Sequence, residues 1–94
     1  MKYEVLVEVR LRPGIADPQG ATIERALPAL GFSAVDAVRV GKAIRLSVDA
    51  PDEAAAHERA TLVAERLLAN PVIEESVVTV IGVAEPAGRN GARP

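Results

Sequence analysis

The residue types that most often perform catalysis are sparse in this sequence. It contains no cysteine and one histidine, His57, which falls in a segment predicted to be helical. The spacing of the serine, histidine and aspartate residues does not suggest a catalytic triad. We therefore favour the interpretation that His57 is a solvent-exposed residue on a helix. We therefore predict that this chain has no catalytic residue.

Acidic residues occur in two short groups. Asp49, Asp52 and Glu53 lie where a helix is predicted to begin, and Glu74 and Glu75 lie in a predicted loop. Helix capping accounts for the first group and solvent exposure for the second, whereas a metal site requires several converging ligands. We predict no metal site.

Phosphate-binding features are also weak. The glycines before residue 35 lack the spacing of a dinucleotide-binding or P-loop motif, so no cofactor site is predicted. Arg39, Lys42 and Arg45 place three cations on one predicted hairpin, where they could hold a phosphate or stand in solvent. From the residues alone the solvated interpretation is favoured.

Two segments in the first third of the chain have clear periodicity. Alternating apolar residues from Tyr3 to Leu11 predict a strand with one covered face. Asp17-Pro18 predicts the start of a helix whose apolar stripe runs to Leu30 and which Gly31 closes. Pro28 should kink or shorten this helix, because it removes a backbone donor.

The remaining segments predict a hairpin, a second helix and a last strand. The hairpin pairs residues 35–40 with residues 43–48 around a Gly41-Lys42 turn. The second helix opens near Pro51 and stops at Asn70-Pro71. Its predicted buried face comprises Ala56, Ala60, Val63, Ala64, Leu67 and Leu68. The last strand, residues 76–83, is apolar on both faces and therefore needs cover on each side.

This order predicts an α+β fold, β-α-β-β-α-β, with two helices on one face of an antiparallel, ferredoxin-like sheet. Residues 1–83 form the predicted domain, and residues 84–94 a flexible tail. The uncovered sheet face and the last strand predict an oligomer, because so short a chain has a marginal core. The candidate interface residues are Leu6, Arg39, Gly41, Lys42, Val78 and Val80.

Composition limits the cellular setting and the class of partner. The 94 residues carry a net charge of −2, and 2 % of them are aromatic, which argues against nucleic-acid binding. No apolar run approaches the roughly 20 residues of a membrane span. The sequence begins with an alternating pattern and not with an apolar leader segment, so we expect a cytoplasmic protein.

Three segments together resemble a known family, PurS, the small subunit of phosphoribosylformylglycinamidine synthase. The segments are Asp17-Pro18-Gln19-Gly20, Val38-Arg39-Val40-Gly41-Lys42 and Leu67-Leu68-Ala69-Asn70-Pro71-Val72-Ile73-Glu74. The resemblance covers residues 2–83, and neither Pro28 nor the segment after Val83 belongs to the family pattern.

The resemblance implies a role in purine biosynthesis within a multi-subunit, glutamine-dependent and ATP-driven carbon–nitrogen ligase. It implies a homodimer or tetramer that bridges a large synthetase subunit and a glutaminase subunit and supports ammonia transfer between them. ATP, Mg and glutamine are used by those partners, so no cofactor is expected on this chain. It also gives Arg39 and Lys42 a possible place at the interface.

The alternative is a stand-alone regulatory domain of the ACT type, which binds a small metabolite at a dimer interface. Such domains carry a glycine-rich loop after the first strand, and Arg12-Pro13-Gly14 matches that feature faintly.

Overall fold

The structure is a computed structural model, and it describes residues 1–84. The predicted tail lies outside the described residues, apart from Ala84. The elements in chain order are β1 (Lys2–Leu11), α1 (Pro18–Ala26), a 3-10 turn (Pro28–Leu30), β2 (Gly41–Asp49), α2 (Glu53–Val63), a π-helical turn (Ala64–Leu68) and β3 (Glu74–Val83).

The strands of the described residues form one antiparallel sheet in the order β2-β1-β3. β1 is central and antiparallel to both neighbours, with Val7 opposite Ile44 on one side and Val78 on the other. The predicted α+β class and antiparallel sheet are confirmed. Both β2 and β3 are edge strands.

The predicted four-stranded order is wrong at the hairpin. Residues 35–40 form no strand in the structure, and Ala37 has a positive φ of 58°, which interrupts any extended run there. Gly41 and Lys42 do not form a turn but begin β2, where they pair with Arg10 and Val9. The chain therefore enters β2 directly from an irregular segment.

The core lies between the sheet and α2. Val5, Val7 and Val9 of β1 are buried against Ala60 of α2 and Ala64 of the π-helical turn. The alternation of β1 sends these valines to one face, and the small alanines let the helix approach the sheet closely. Tyr3, Ala50 and Ala56 form a second, smaller cluster at the end of this layer.

The predicted buried face of the second helix is only partly correct. Leu68 packs against the core, but Val63 is 38 % and Leu67 is 78 % exposed. Leu67 lies within the π-helical turn, in which the Ala69 N–H donates to the Ala64 carbonyl at 2.9 Å. This wider turn rotates the residues inside it relative to an α-helix and carries Leu67 into solvent, whereas Val63 precedes the turn.

The first helix ends early, as Pro28 predicts. α1 stops at Ala26, a 3-10 turn follows, and Gly31 closes the segment in the left-handed conformation with φ 92°. α1 was expected to cover the sheet together with α2, but Ile23 is 46 % exposed and Gly20 is its one buried residue. α1 is therefore attached to the domain by means other than apolar packing.

Candidate protein interface

Two carboxylates attach α1 to the segment that enters β2. Asp17 caps the helix, because one of its oxygens, Oδ1, accepts the Gly20 N–H at 2.9 Å. Its other oxygen, Oδ2, accepts the Val40 N–H at 2.7 Å. Glu24 accepts the Val38 N–H through Oε1 at 3.0 Å. We call Asp17, Glu24, Val38 and Val40 the α1 latch.

The latch explains how residues 38–40 are held in place without a partner strand. Backbone N–H groups need acceptors when they leave solvent, and here helix side chains supply them. Gly20 is required at the same place, since a Cβ there would overlap the carbonyl oxygen of Val38. Sequence reasoning identified Asp17 as a cap but missed Glu24. The sequence feature that could have indicated Glu24 is its spacing of seven residues from Asp17, which places both acidic residues on one face of the helix.

The latch also controls the ionisation of Asp17. The Gly20 N–H, followed by the Val40 N–H, holds the pKa of the Asp17 carboxyl below its ordinary value. Partial burial raises the pKa of this carboxyl, and the nearby Arg39 guanidinium lowers it. The ionised form is therefore the one that the fold stabilises.

The three cations predicted to share a hairpin do not converge. Arg39 donates to the Ile15 carbonyl at 3.3 Å, and Arg45 pairs with Glu4 at 2.9 Å on the sheet face away from α2. Lys42 lies opposite Val9 and therefore on the other face. The structure does not place these three side chains around one phosphate.

An open cleft of about 420 Å³ lies between α1 and the start of β2. Its charged lining comprises Arg10, Lys42, Asp17 and Glu74, so cations and carboxylates are balanced. Both oxygens of Asp17 are already occupied by backbone N–H groups. The cleft has no charge preference that points to one ligand.

The remaining predicted interface residues fall on different sides of the sheet. Leu6 lies on the face away from α2, opposite Arg45 and Thr79, and is half-buried. Val78 and Val80, the candidate interface residues of the last strand, pack against the core on the α2 side and therefore do not share the uncovered face with Leu6. The β3 residues that share the face of Leu6 are Val77 and Thr79.

Eleven large apolar side chains are nevertheless exposed in the described residues, and eight of them lie in two stretches of the chain. The α1 surface consists of Ile23, Leu30, Phe32 and Val35, which are 46 %, 69 %, 53 % and 47 % exposed. The α2 surface consists of Leu62, Val63, Leu67 and Val72. Where exposed apolar side chains form a contiguous patch, that patch commonly marks a site of contact with another molecule.

The residues considered for chemistry remain separate. His57 is exposed on α2, and Asp52 caps that helix by accepting the Ala55 N–H at 2.8 Å. Across residues 1–84, no three side chains of the metal-ligating types come together. None of the helices described is long and apolar enough to span a membrane. That the chain lacks a catalytic site remains a prediction.

Fold and surface together define a small α+β protein with an open sheet, two exposed apolar surfaces and an edge strand on each side. The family model for PurS, phosphoribosylformylglycinamidine (FGAM) synthase, matches residues 4–82. The PurS subunit of this synthase from Synechocystis is 43 % identical over 72 residues, covering 77 % of this chain and 72 % of the relative.

Solved structures agree with this match. The Thermotoga maritima PurS subunit superposes with a TM-score of 0.80 at 36 % identity, covering 86 % of this chain and 93 % of that one. A chain of the T. maritima PurLQS structure gives a TM-score of 0.79 at 36 % identity, covering 86 % and 99 %. The chain belongs to the PurS family, and it is a subunit of phosphoribosylformylglycinamidine synthase in purine biosynthesis.

Proposed function

We propose that this chain, as a homodimer or tetramer, bridges the ATP-dependent synthetase subunit and the glutaminase subunit and supports ammonia transfer between them. The observation that carries the proposal is the exposed apolar area of the α1 and α2 surfaces in a chain whose relatives include a member of a PurLQS structure. Burying such area against other chains is a favourable contribution to association.

The proposal assigns the chemistry to the partners. ATP, Mg and glutamine bind to the synthetase and glutaminase subunits, and this chain binds no cofactor and no nucleic acid. Its contribution is to raise the affinity of the other two subunits for each other, which is a coupling free energy between binding sites. The complex works in the cytoplasm, in keeping with the biosynthetic pathway of the family.

Reconstitution tests the proposal directly. With its cognate synthetase and glutaminase, the chain should be required for glutamine-dependent product formation, whereas activity with free ammonia should depend on it much less. By itself it should hydrolyse neither glutamine nor ATP. Full glutamine-dependent activity without the chain would contradict the bridging role and favour the metabolite-binding regulatory alternative.

Charge reversal tests whether the segment around Arg39 and Lys42 contacts a partner subunit. Arg39→Glu and Lys42→Glu should each weaken assembly of the three subunits if this segment contacts a partner, because both side chains are exposed. Lys2→Glu, an equal reversal at an exposed site at the start of β1, is the matched control. If Arg39→Glu and Lys42→Glu assemble as the control does, the contact lies elsewhere and the bridging role stands.

A further inference from the structure

We infer that residues 13–37 form a hinged unit, which swings away from the rest of the domain as one body while the core stays folded. We call these residues the α1 unit; they comprise α1, the 3-10 turn and most of the irregular segment before β2. The α1 latch keeps the unit closed, because it joins Asp17 and Glu24 of the unit to the residues that enter β2. This motion is independent of the proposed bridging role.

The α1 unit takes no part in the core of the described residues. Both core clusters consist of residues from the three strands, α2, the π-helical turn and the positions Ala50 and Ala69. Gly20 is the one buried residue of the unit, and a Cβ there would meet the Val38 carbonyl oxygen and the Asp17 carboxyl, not the core. Opening therefore uncovers little apolar surface, and its cost in hydrophobic free energy is small.

Polar contacts fasten the unit at one place. Three hydrogen bonds join it to residues 38–40: Val40 to Asp17 at 2.7 Å, Val38 to Glu24 at 3.0 Å and Arg39 to Ile15 at 3.3 Å. At the base of the unit the Ile15 N–H also donates to the Arg12 carbonyl at 3.2 Å. Within residues 1–84, no hydrogen bond or ion pair joins the unit to α2 or β3. Breaking the latch therefore leaves the sheet and α2 intact.

The side of the unit that faces the sheet borders open space. The cleft of about 420 Å³ has Val9 and Leu11 of β1 on one wall and Ala16 and Pro18 of the unit on the other. Packed protein interiors contain few voids larger than a water molecule. The start of α1 therefore lies beside the sheet and not on it, so opening does not disrupt an interdigitated layer.

Positive φ angles occur at both ends of the unit. Gly14 has φ 87°, and a Cβ there would meet nothing within 4 Å, so this glycine serves conformation and not space. Ala37 has φ 58°, a conformation that is costly for a residue with a Cβ. The latch bond at the next residue, Val38, holds Ala37 in this conformation, and opening releases it. Gly14 and Ala37 are the two hinges.

Opening moves the α1 surface as a whole. Ile23, Leu30, Phe32 and Val35 all lie within the unit, so their orientation relative to the sheet changes without loss of the core. Hydrogen bonds to carboxylates are among the stronger ones, so the closed form is the major state and the open form the minor state. A partner that binds the α1 surface in another orientation shifts this equilibrium.

Amide hydrogen exchange on the full chain, resolved by residue, tests the inference without any substitution. The Val38 and Val40 amides bond across the latch, whereas the Val7 amide lies in the buried central strand. If the unit opens as one body, Val38 and Val40 should have protection factors within about threefold of each other and at least about a hundredfold below that of Val7. Protection equal to that of Val7, or unequal protection of Val38 and Val40, would overturn the inference.

Glu24→Ala tests whether the two carboxylates act together. The substitution removes the acceptor of the Val38 N–H and leaves the bond between Val40 and Asp17 in place. The Val40 amide should nevertheless exchange about tenfold faster, because a weaker latch opens more often. The Val7 amide should change by less than about twofold.

Arg25→Ala is the matched control for Glu24→Ala. Arg25 is the next residue of α1, and its side chain donates to Thr22 of the same helix. This substitution should leave the exchange of both Val38 and Val40 unchanged within about twofold.

Three results would refute the hinged unit. Acceleration confined to Val38 in Glu24→Ala would show that the two carboxylates act separately. Equal acceleration of Val7, or loss of the fold by circular dichroism, would show that the latch supports the whole domain. The exchange rates of the wild-type chain decide without any variant, and none of these measurements involves the partner subunits, so their failure is separable from a failure of the bridging role.

Discussion

Asp17 and Glu24 supply hydrogen-bond acceptors that a neighbouring strand would supply in an ordinary sheet. Their bonds to the N–H groups of Val38 and Val40 join the helix to the segment that enters β2, while the bond from the Gly20 N–H to Asp17 caps the helix itself. A carboxylate accepts such bonds more strongly when it is ionised. The attachment of α1 therefore depends on charge more than on packing.

Asp17→Asn should destabilise the protein at pH 7, because an amide presents one acceptor oxygen where the carboxylate presents two. The pKa of Asp17 is lower in the folded state than in the unfolded state. The ionised carboxylate therefore contributes fully to the free energy of unfolding at pH values above the unfolded-state pKa, and this contribution is lost as the pH falls through the folded-state pKa. The difference in unfolding free energy between wild type and variant should narrow below about pH 4.

Urea unfolding at pH 7 and at pH 3 measures this difference. Asp36→Asn is the matched control, because Asp36 is exposed, and it should leave the unfolding free energy within about 0.5 kcal/mol at pH 7. A gap between wild type and Asp17→Asn that stays constant from pH 7 to pH 3 would contradict the role given to the ionised carboxylate.

At the scale of elements, the end of the second helix is set by its π-helical turn. The turn separates two adjacent leucines, with Leu68 packed against the core and Leu67 78 % exposed. Continuous α-helical periodicity would have placed both near the sheet. The exposure of Leu67 enlarges the α2 surface at the cost of core packing.

Leu68→Ala should destabilise the chain by about 1–2 kcal/mol, less than at a fully buried site because Leu68 is partly buried. Leu67→Ala, the matched substitution one residue earlier, should change the unfolding free energy by less than about 0.5 kcal/mol. Both values come from urea unfolding at low protein concentration, where self-association contributes least. Equal losses would mean that the helix continues without the wider turn.

The sequence predicted the elements whose signals are local. The alternation of Tyr3, Val5, Val7 and Val9, the Asp17 cap and the break at Pro28 all depend on neighbouring residues, and the structure has them. Residues 35–40 were assigned to a strand because their β-branched content is typical of one. Their hydrogen-bond acceptors come instead from α1, and a local pattern does not report such a distant partner.

The same limit applied to the candidate interface. The sequence indicated that β3 is apolar on both sides and that Val78 and Val80 are involved in association. It did not reveal that their side chains face α2, because the face on which a side chain lies depends on the pairing of β3 with β1. A turn at Gly41-Lys42 was excluded only by the pairing of those residues with Arg10 and Val9.

At the scale of the whole molecule, the described residues form one principal apolar layer, between a three-stranded sheet and α2. A layer of this size leaves a short chain with limited stability, and association adds to it because the partner binds the folded form. The two exposed apolar surfaces are where that gain can arise.

Thermal stability should therefore rise with protein concentration. We expect the midpoint of unfolding to increase over a hundredfold range of concentration, since dissociation accompanies unfolding in an oligomer of small subunits. Calorimetry or circular dichroism at matched scan rates measures the shift. A midpoint that stays constant over this range would show that the folded chain does not depend on its own association.

The two oxygens of Asp17 accept hydrogen bonds that close loops of very different length. The bond to Gly20 closes a loop of three residues, whereas the bond to Val40 spans 23, and the entropy lost on closing a loop grows with its length. The helix cap can therefore form first and hold the carboxylate in the orientation that Val40 later meets. The side chain of Asp17 thus takes part both in the cap of α1 and in the attachment of the segment that enters β2. Once the cap has formed, the acceptor for the Val40 N–H is already oriented.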